Sequence, residues 1–300
     1  MTLMIALVGA QPLPNLLPVR HYHSESVLFV YSTKTKKVYD QLEAVLKKET
    51  KVHGLKTDAY DVHAIVKALN AELDTPAIAS ESMVFNITGG TKTMSIAAYQ
   101  VAQQRNAPVL YMESEGRRNR IYRYVWEHQQ LKTQTNELMT ENVKLSDLFD
   151  IHLGVGNWQE HKPVLNPGGY FEIALAEALR SHGYEVMTGV KTMNNQVDID
   201  VAIRYENQHG IIEAKMGDLG RDLKGVQQLS TAAQLLGIYT TKFYAITVSP
   251  SPSHTALKDA ANIQTTSLSQ YDPDSHTLSP QDIKTLLSIV DKAMKGQANE

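Results

Sequence analysis

The first 125 residues alternate between apolar runs and amphipathic segments. Apolar runs typical of buried β-strands lie at residues 3–8, 26–31, 82–87 and 108–112. Apolar positions at helical spacing occupy the intervals at about 34–48, 60–73 and 91–105. This alternation of strands and helices predicts a doubly wound, mostly parallel sheet, that is, a Rossmann-like α/β domain. Residues 117–126 alternate between apolar and polar, which predicts a closing hairpin or edge strand.

The second half of the chain predicts a second α/β domain with a different order of elements. After a polar stretch with a short helix near residues 146–151, a turn at 166–169 leads into a helix at about 170–182. The elements that follow are strands at about 184–192, 196–205 and 210–216, a helix at 219–236, a strand at 243–248 and a last helix that Ser279 opens. We therefore divide the chain into a first domain at 1–126, a connecting region at 127–165 and a second domain at 166–300.

Composition narrows the class of protein. The chain has no cysteine, which excludes disulfides and Cys-ligated zinc. The N-terminal apolar run has no basic residues before it, and no apolar stretch approaches the roughly 18 residues of a membrane span. We therefore expect a cytoplasmic protein with no membrane partner. Residues 126–300 carry 14 Lys+Arg against 21 Asp+Glu, a balance of −7, which argues against broad, charge-driven duplex binding there.

Two predicted strands of the second domain carry acidic residues on one face. Because side chains alternate along a strand, Asp198 and Asp200 share a face, and so do Glu213 and Lys215 on the next strand. Carboxylates inside an apolar hairpin are costly without compensation, and a divalent cation compensates them. Carboxylate oxygens suit Mg²⁺ or Mn²⁺.

The chemical requirements of phosphodiester cleavage suggest a role for each of these residues. We expect Asp198 and Glu213 to hold the metal ion, which polarises a phosphate oxygen and activates a water. Lys215 then orients that water or stabilises the developing negative charge. Glu172, on the preceding helix, completes the metal shell or acts through a water. For Glu172 a helix N-terminal carboxylate favoured by the dipole is an equal alternative, and Asp200 is interpreted as a neighbour that tunes the site or faces solvent.

The same hairpin raises a geometric difficulty. A tight turn at 207–210 would place Glu213 opposite about Arg204 rather than Asp198. The two carboxylates converge only if the strands splay or bulge, and bulges are frequent beside active sites. The alternative is a structural, salt-bridged hairpin.

In the first domain, a loop that joins a strand to a helix has the character of an anion site. The segment Asn86-Ile87-Thr88-Gly89-Gly90-Thr91-Lys92 follows a buried strand at 83–85 and precedes a helix at 93–105. Such a junction presents backbone N–H groups and a helix N-terminus to an anion, although it is not a Walker A loop. The segments at 9–15 and 32–35 follow the first two strands, and ligands of doubly wound sheets bind at this edge. The alternative is a tight turn that needs two glycines.

These motifs resemble those of two known families. The order and spacing of Glu172, Asp198 and Glu213-Ala214-Lys215 resemble the motif of the PD-(D/E)xK nuclease superfamily. The segments 11–15 (Gln-Pro-Leu-Pro-Asn) and 86–92 look like the ligand-loop signatures of CARF sensor domains. The whole chain, over roughly residues 3–125 and 165–270, resembles the type III CRISPR ancillary nucleases that pair a CARF domain with a PD-(D/E)xK, restriction-endonuclease-like domain.

The resemblance implies a ligand-gated nuclease. The CARF domains would form a homodimer that binds one cyclic oligoadenylate, expected to be the tetraadenylate, across its two-fold axis. Binding would activate metal-dependent cleavage of DNA, RNA or both. The candidate ligand-binding residues are Gln11, Thr33, Thr88, Gly89, Gly90, Thr91 and Lys92. Two alternatives stay open, a non-catalytic CARF sensor and an ungated PD-(D/E)xK endonuclease.

Overall fold

Unbroken apolar runs form the central strands of the first sheet. In a computed structural model, which describes residues 2–76, 78, 82–115, 118–139, 142–221, 223–249 and 261–296, every residue of strand β1 (Thr2–Leu7) after Thr2 is buried. Strand β2 (Ser26–Tyr31) is buried up to Val30. Such strands are covered on both faces, as the central strands of a parallel sheet are. The chain divides into two compact units, Met1–Asn142 and Val143–Glu300.

The first unit is a seven-stranded sheet in the order β3-β2-β1-β4-β5-β6-β7. Strands β1 to β5 pair in parallel, and β6 and β7 pair antiparallel at one edge. The remaining strands are β3 (Lys51–Lys56), β4 (Ser82–Asn86), β5 (Val109–Glu115), β6 (Arg118–Glu127) and β7 (Gln130–Leu138). The helices are α1 (Leu13–His21), α2 (Lys36–Leu46), α3 (Val62–Leu73) and α4 (Lys92–Gln104), and a 3-10 helix (Thr33–Thr35) precedes α2. The predicted Rossmann-like α/β class is confirmed.

Three elements of this unit differ from the prediction. Helix α1 was not predicted, because Pro14 and Pro18 lie within it and its residues from Leu13 to Val19 are all buried, which leaves no amphipathic pattern. Strand β3 was missed because it is largely polar and exposed. The predicted connecting region at 127–165 is wrong at its start, since β7 belongs to the first sheet. Residue 117, where the hairpin was predicted to begin, lies outside the described residues.

The second unit is a six-stranded mixed sheet in the order β13-β12-β11-β10-β9-β8. Strands β8 to β11 pair antiparallel, whereas β11, β12 and β13 pair in parallel. The strands are β8 (Trp158–Glu160), β9 (Glu185–Thr192), β10 (Asp198–Tyr205), β11 (Gln208–Lys215), β12 (Thr241–Ile246) and β13 (Ile263–Ser267). The helices are α5 (Leu145–Leu153), α6 (Pro167–Arg180), α7 (Leu223–Leu235) and α8 (Pro280–Met294), and a 3-10 helix (Gly217–Arg221) precedes α7. Helix α5 and strand β8 fall in the predicted connecting region but pack within this unit.

Alternating side chains of the hairpin β10–β11 separate its core from its acidic residues. Val201 and Ile212 join one hydrophobic cluster with Phe171 and Leu175 of α6. The positions next to them in sequence, which include Glu213, therefore point to the other face. Among the described residues, no helix combines the length and apolar character needed to cross a bilayer.

Candidate functional site

The carboxyl ends of β1 and β4 are neighbours in the first sheet, and the loops that follow them touch. Strand order reverses at this pair, where doubly wound folds bind ligands. A Cβ at Gly89 would lie 2.1 Å from the backbone oxygen of Leu7, and a Cβ at Gly9 would lie 3.1 Å from the nitrogen of Gly90. Gly90 also has a φ of +74°, a conformation that favours glycine. Both predicted glycines are therefore needed for the loop to cross the end of β1.

The threonines of this loop hold it in place. The Thr88 hydroxyl donates to Asn86 Oδ1 at 2.7 Å and accepts from the Met112 N–H at 2.8 Å. Thr91 is the N-cap of α4, where its hydroxyl accepts from the Met94 N–H and donates to the Ala59 carbonyl at 2.6 Å. Both hydroxyls are thus engaged within the fold, where they fix the position of the loop.

A buried asparagine lies beneath the loop, and sequence reasoning did not single it out. Asn15 is fully buried, and neither its side-chain oxygen nor its nitrogen has a hydrogen-bond partner among the described residues. Its Nδ2 lies 3.4 Å from the position of a Cβ at Gly89. Gln11 Oε1, in the same segment, is also buried without a partner there. Unpaired buried polar groups are costly, so these atoms mark a place where a polar ligand or water would be stabilising.

Two further predicted ligand residues lie at the starts of helices. Thr33 begins the 3-10 helix after β2, and Lys92 begins α4. Both side chains are exposed. The seven predicted ligand residues therefore belong to three loops that follow β1, β2 and β4, which are adjacent in the sheet.

In the second unit, the register of β10 and β11 brings a different aspartate to Glu213. Tyr205 pairs with Gln208 across a two-residue turn, so the turn is earlier than the one predicted at 207–210. Val201 consequently pairs with Ile212, and the next position along each strand places Asp200 beside Glu213. Asp200 Oδ2 accepts the Ala214 N–H at 2.8 Å. The predicted pairing of Glu213 with Arg204 is wrong, and no splaying of the strands is required.

Asp200, Glu213 and Lys215 form one compact cluster. The Lys215 Nζ lies 2.6 Å from Glu213 Oε1 and 3.3 Å from Asp200 Oδ2. Glu213 is only 3% exposed. Asp200 was interpreted from the sequence as a neighbour, yet the structure gives it a central place. Its alternation with Asp198 was the signal, and correct placement of the turn would have selected it.

Asp198 lies at the margin of this cluster. Its carboxylate pairs with Lys191 Nζ at 3.0 Å, and half of its side chain is exposed. Asp198 therefore takes Lys191 as its ion-pair partner, whereas Asp200 and Glu213 share Lys215. Within the part of the chain that the structure describes, no three acidic or histidine residues are arranged as a metal site.

The electrostatics of the cluster show repulsion between carboxylates. Burial, followed by the charge of Asp200, raises the pKa of Glu172 to about 7. The same two causes raise the pKa of Glu213 to about 7, and burial raises the pKa of Asp200. Burial lowers the pKa of Lys215, but Asp200 and Glu213 outweigh it, and the net pKa is raised. The carboxylates of Glu172, Asp200 and Glu213 thus share the single ammonium group of Lys215, and a divalent cation would stabilise this excess of negative charge.

Comparison with known proteins gives one sequence match. Residues 3–147 match the family model of the Card1 CARF domain. No similar sequence was found among curated proteins.

Three solved structures share the fold. Can2 from Sulfobacillus thermosulfidooxidans, solved with cyclic tetra-adenylate, is 14% identical with a TM-score of 0.72 over 95% of this chain and 99% of that one. Protein VC1899 from Vibrio cholerae is 13% identical with a TM-score of 0.71 over 99% of both chains. A type III CRISPR defence DNA nuclease activated by cyclic oligoadenylate is 13% identical with a TM-score of 0.63 over 95% of this chain and 51% of that one. The first unit is therefore a domain of the CARF fold, and the chain as a whole shares the fold of Can2.

Proposed function

We propose that this chain is a cyclic-oligoadenylate-activated, divalent-metal-dependent nuclease of the PD-(D/E)xK type, acting in type III CRISPR defence. The observation that carries the proposal is the cluster of Asp200, Glu213 and Lys215 on adjacent strands, in a chain whose first unit matches a CARF domain. The shared fold of Can2, whose structure holds cyclic tetra-adenylate, supports the choice of the tetraadenylate as activator.

The carboxylates of the second unit fit a Mn²⁺ or Mg²⁺ ion by their chemistry. Asp200 and Glu213 would hold the ion, with Glu172 and the predicted Asp198 beside them. When bound, the ion supplies Lewis acidity, which polarises a phosphate oxygen and lowers the pKa of a water. The ammonium group of Lys215, which is paired with Glu213, would stabilise the negative charge that develops on the phosphate. Glu172, with a pKa of about 7, can take up or release a proton near neutral pH.

The activator would bind at the β1 and β4 loops of a homodimer. The N-terminus of α4 and the exposed ammonium group of Lys92 suit the phosphates of a cyclic oligoadenylate. Ile96 and Tyr99 follow Lys92 on α4, and they are 57% and 38% exposed. This apolar stripe next to the ligand loop is our candidate for the two-fold interface.

A non-catalytic sensor is the second candidate, and a specific observation favours it. Glu213 is already paired with Lys215, and the described residues contain no preformed metal geometry. A degenerate nuclease domain that binds only nucleic acid would show the same features.

Cleavage of supercoiled plasmid and of labelled single-stranded RNA, with Mn²⁺ and with or without cyclic tetraadenylate, tests the proposal. We expect cleavage only in the reactions that contain cyclic tetraadenylate. Cleavage without the ligand would support the nuclease activity and contradict its activation by the ligand. Absence of cleavage under both conditions, together with ligand binding measured by calorimetry, would establish the non-catalytic sensor instead.

A further inference from the structure

A short loop after strand β3 lies against the ligand loop of the first unit. The carbonyl oxygen of Ala59 accepts hydrogen bonds from the hydroxyls of Thr91 and Thr93, each at 2.6 Å. Thr91 is the N-cap of α4, and Lys92 is the first residue of that helix. Because β3 is parallel to β2, residues 57–61 lie at the same edge of the sheet as the loops that follow β1, β2 and β4. The residues proposed above to bind the activator include none of this loop.

The backbone of this loop is fixed on both sides of Tyr60. Asp58 Oδ1 accepts the N–H groups of Tyr60 at 2.6 Å and of Asp61 at 2.8 Å. Asp61 is in turn the N-cap of α3, where its Oδ1 accepts the Ala64 N–H at 3.0 Å. These hydrogen bonds leave the backbone few alternative conformations, so the side chain of Tyr60 projects from a rigid support.

The side chain of Tyr60 is exposed although its backbone is fixed. At 64% exposure it is the most exposed large hydrophobic or aromatic side chain in the described part of the first unit. Such a ring offers a flat apolar surface on which a planar base can stack at little cost in conformational entropy. Tyr60 directly follows the residue whose carbonyl accepts from Thr91, and Lys92 directly follows Thr91 itself. An aromatic ring and an ammonium group therefore belong to two loops that are hydrogen-bonded to each other.

The charges of the two loops favour one orientation of a nucleotide. Lys92, which is exposed, and the N-terminus of α4 attract a phosphate. Asp58 and Asp61, which flank Tyr60, are exposed carboxylates that repel one. The backbone N–H groups of Tyr60 and Asp61 lower the pKa of Asp58, so this carboxylate is ionised at neutral pH. A nucleotide is therefore placed most favourably with its phosphate at Lys92 and its base at Tyr60.

We propose that Tyr60 is a stacking residue for one base of the cyclic oligoadenylate activator, with Lys92 holding an adjacent phosphate. The inference rests on the proposed function and adds to it a binding residue outside the seven candidates that the sequence motifs supplied. In the proposed homodimer the two copies of Tyr60 would hold two bases of one ring, related by the two-fold axis. The contact serves binding of the activator and takes no part in cleavage.

Calorimetry of cyclic tetraadenylate binding to the full chain in EDTA tests this contact without cleavage. Tyr60→Ala removes the ring, and Tyr60→Phe keeps the ring while removing the hydroxyl. Tyr239→Ala, at an exposed tyrosine of the second unit, is the matched control. In a second measurement, one adenine of the cyclic tetraadenylate is replaced by 2-aminopurine, whose fluorescence falls when it stacks on an aromatic side chain.

We expect Tyr60→Ala to weaken binding by a factor of about ten or more, because each base that stacks on an aromatic side chain raises the affinity by roughly that factor. Tyr60→Phe and the control should bind like the wild type. At saturating protein, the fluorescence of 2-aminopurine should fall less with Tyr60→Ala than with the wild type. Because the side chain of Tyr60 is exposed, its removal should leave the fold intact.

The outcomes separate this inference from the proposed function. Wild-type affinity in Tyr60→Ala would overturn the stacking contact, while ligand-dependent cleavage by the wild type would still support the activated nuclease. An equal loss of affinity in Tyr60→Phe and Tyr60→Ala would also overturn it, because the hydroxyl rather than the ring would then make the contact. Binding that depends on the ring of Tyr60, by a chain that never cleaves nucleic acid, would support the stacking contact and overturn the catalytic function.

Discussion

The ligand loop of the first unit and the carboxylate cluster of the second are both candidate phosphate sites, but they consist of different chemical groups. The loop consists of glycines that cross a neighbouring strand and threonines whose hydroxyls are bonded within the fold. The cluster consists of charged groups, and burial followed by the charge of Asp200 raises the pKa of Glu213, and that of the neighbouring Glu172, to about 7.

This difference indicates what each site requires from a ligand. Backbone N–H groups are neutral donors that can be held ready for an anion at little cost. Buried carboxylates instead raise the free energy of the folded state until a cation or a proton neutralises them. The first site would therefore accept an anion without a large cost, whereas the second would be stabilised by a cation or a proton.

The sharpest test of the second site separates Asp200 from Asp198. We expect Glu213→Gln and Asp200→Asn to lower the cleavage rate at least about 100-fold, because each removes a charge that would hold the metal. Asp198→Asn should retain most of the activity, since Asp198 pairs with Lys191 at the margin. Initial rates with Mn²⁺ and cyclic tetraadenylate measure the effect, and calorimetry should show unchanged activator affinity. An inactive Asp198→Asn together with a fully active Asp200→Asn would reverse the assignment.

Metal binding should stabilise the fold more strongly as pH rises. Glu172 and Glu213 have folded pKa values of about 7 against an ordinary value of 4.5. A raised carboxyl pKa means that stability is highest below pH 4.5 and is lost as pH rises through 7. A cation offsets this loss, by about 2.7 kcal/mol at a concentration near 100 times its Kd.

Thermal melts with Mn²⁺ and with EDTA, on either side of pH 7, measure this stabilisation. The shift in Tm should be larger at the higher pH and absent in Glu213→Gln. The same shift at both pH values, or in the variant, would show that the metal binds elsewhere.

The smallest expected effect concerns the charge of the ligand loop. Lys92→Ala should weaken cyclic tetraadenylate binding about tenfold, because a charge-assisted contact contributes about 1.5 kcal/mol. Lys67→Ala, at an exposed position on α3, is the control. Calorimetry measures the affinity, and the cleavage rate at saturating ligand should stay at the wild-type value. Unchanged affinity of the Lys92 variant would remove this residue from the site.

Strands with apolar patterns were predicted well, and strands without them were not. The buried strands β1, β2 and β4 lie close to their predicted positions because continuous apolar runs leave few alternatives. Strands β3 and β7 lie at the two edges of the first sheet, where polar and exposed residues are tolerated. These strands pair through backbone hydrogen bonds to a neighbouring strand, and the local pattern of apolar and polar residues does not predict such pairing.

In the candidate sites too, features that are local in sequence were predicted, and features that depend on distant segments were not. The Asn86–Lys92 segment was recognised because its two glycines and the following helix are adjacent in sequence. Asn15 belongs to the recognised 11–15 segment, but its burial was not foreseen because it depends on a loop more than 70 positions away. The choice between Asp198 and Asp200 depended on a turn that lies two residues earlier than predicted, at 205–208 rather than 207–210, and this difference moves every pairing along the hairpin by four positions.

The sequence by itself determined the α/β class, the Rossmann-like first unit and the group of acidic residues with one lysine, because these follow from local periodicity and residue type. The tertiary structure decided which carboxylate meets Glu213 and which threonine hydroxyls are already bonded. These are long-range properties, since they depend on strand register and on contacts between distant segments. Packing and hydrogen bonds between distant segments stabilise these arrangements, and no single segment contains those contacts.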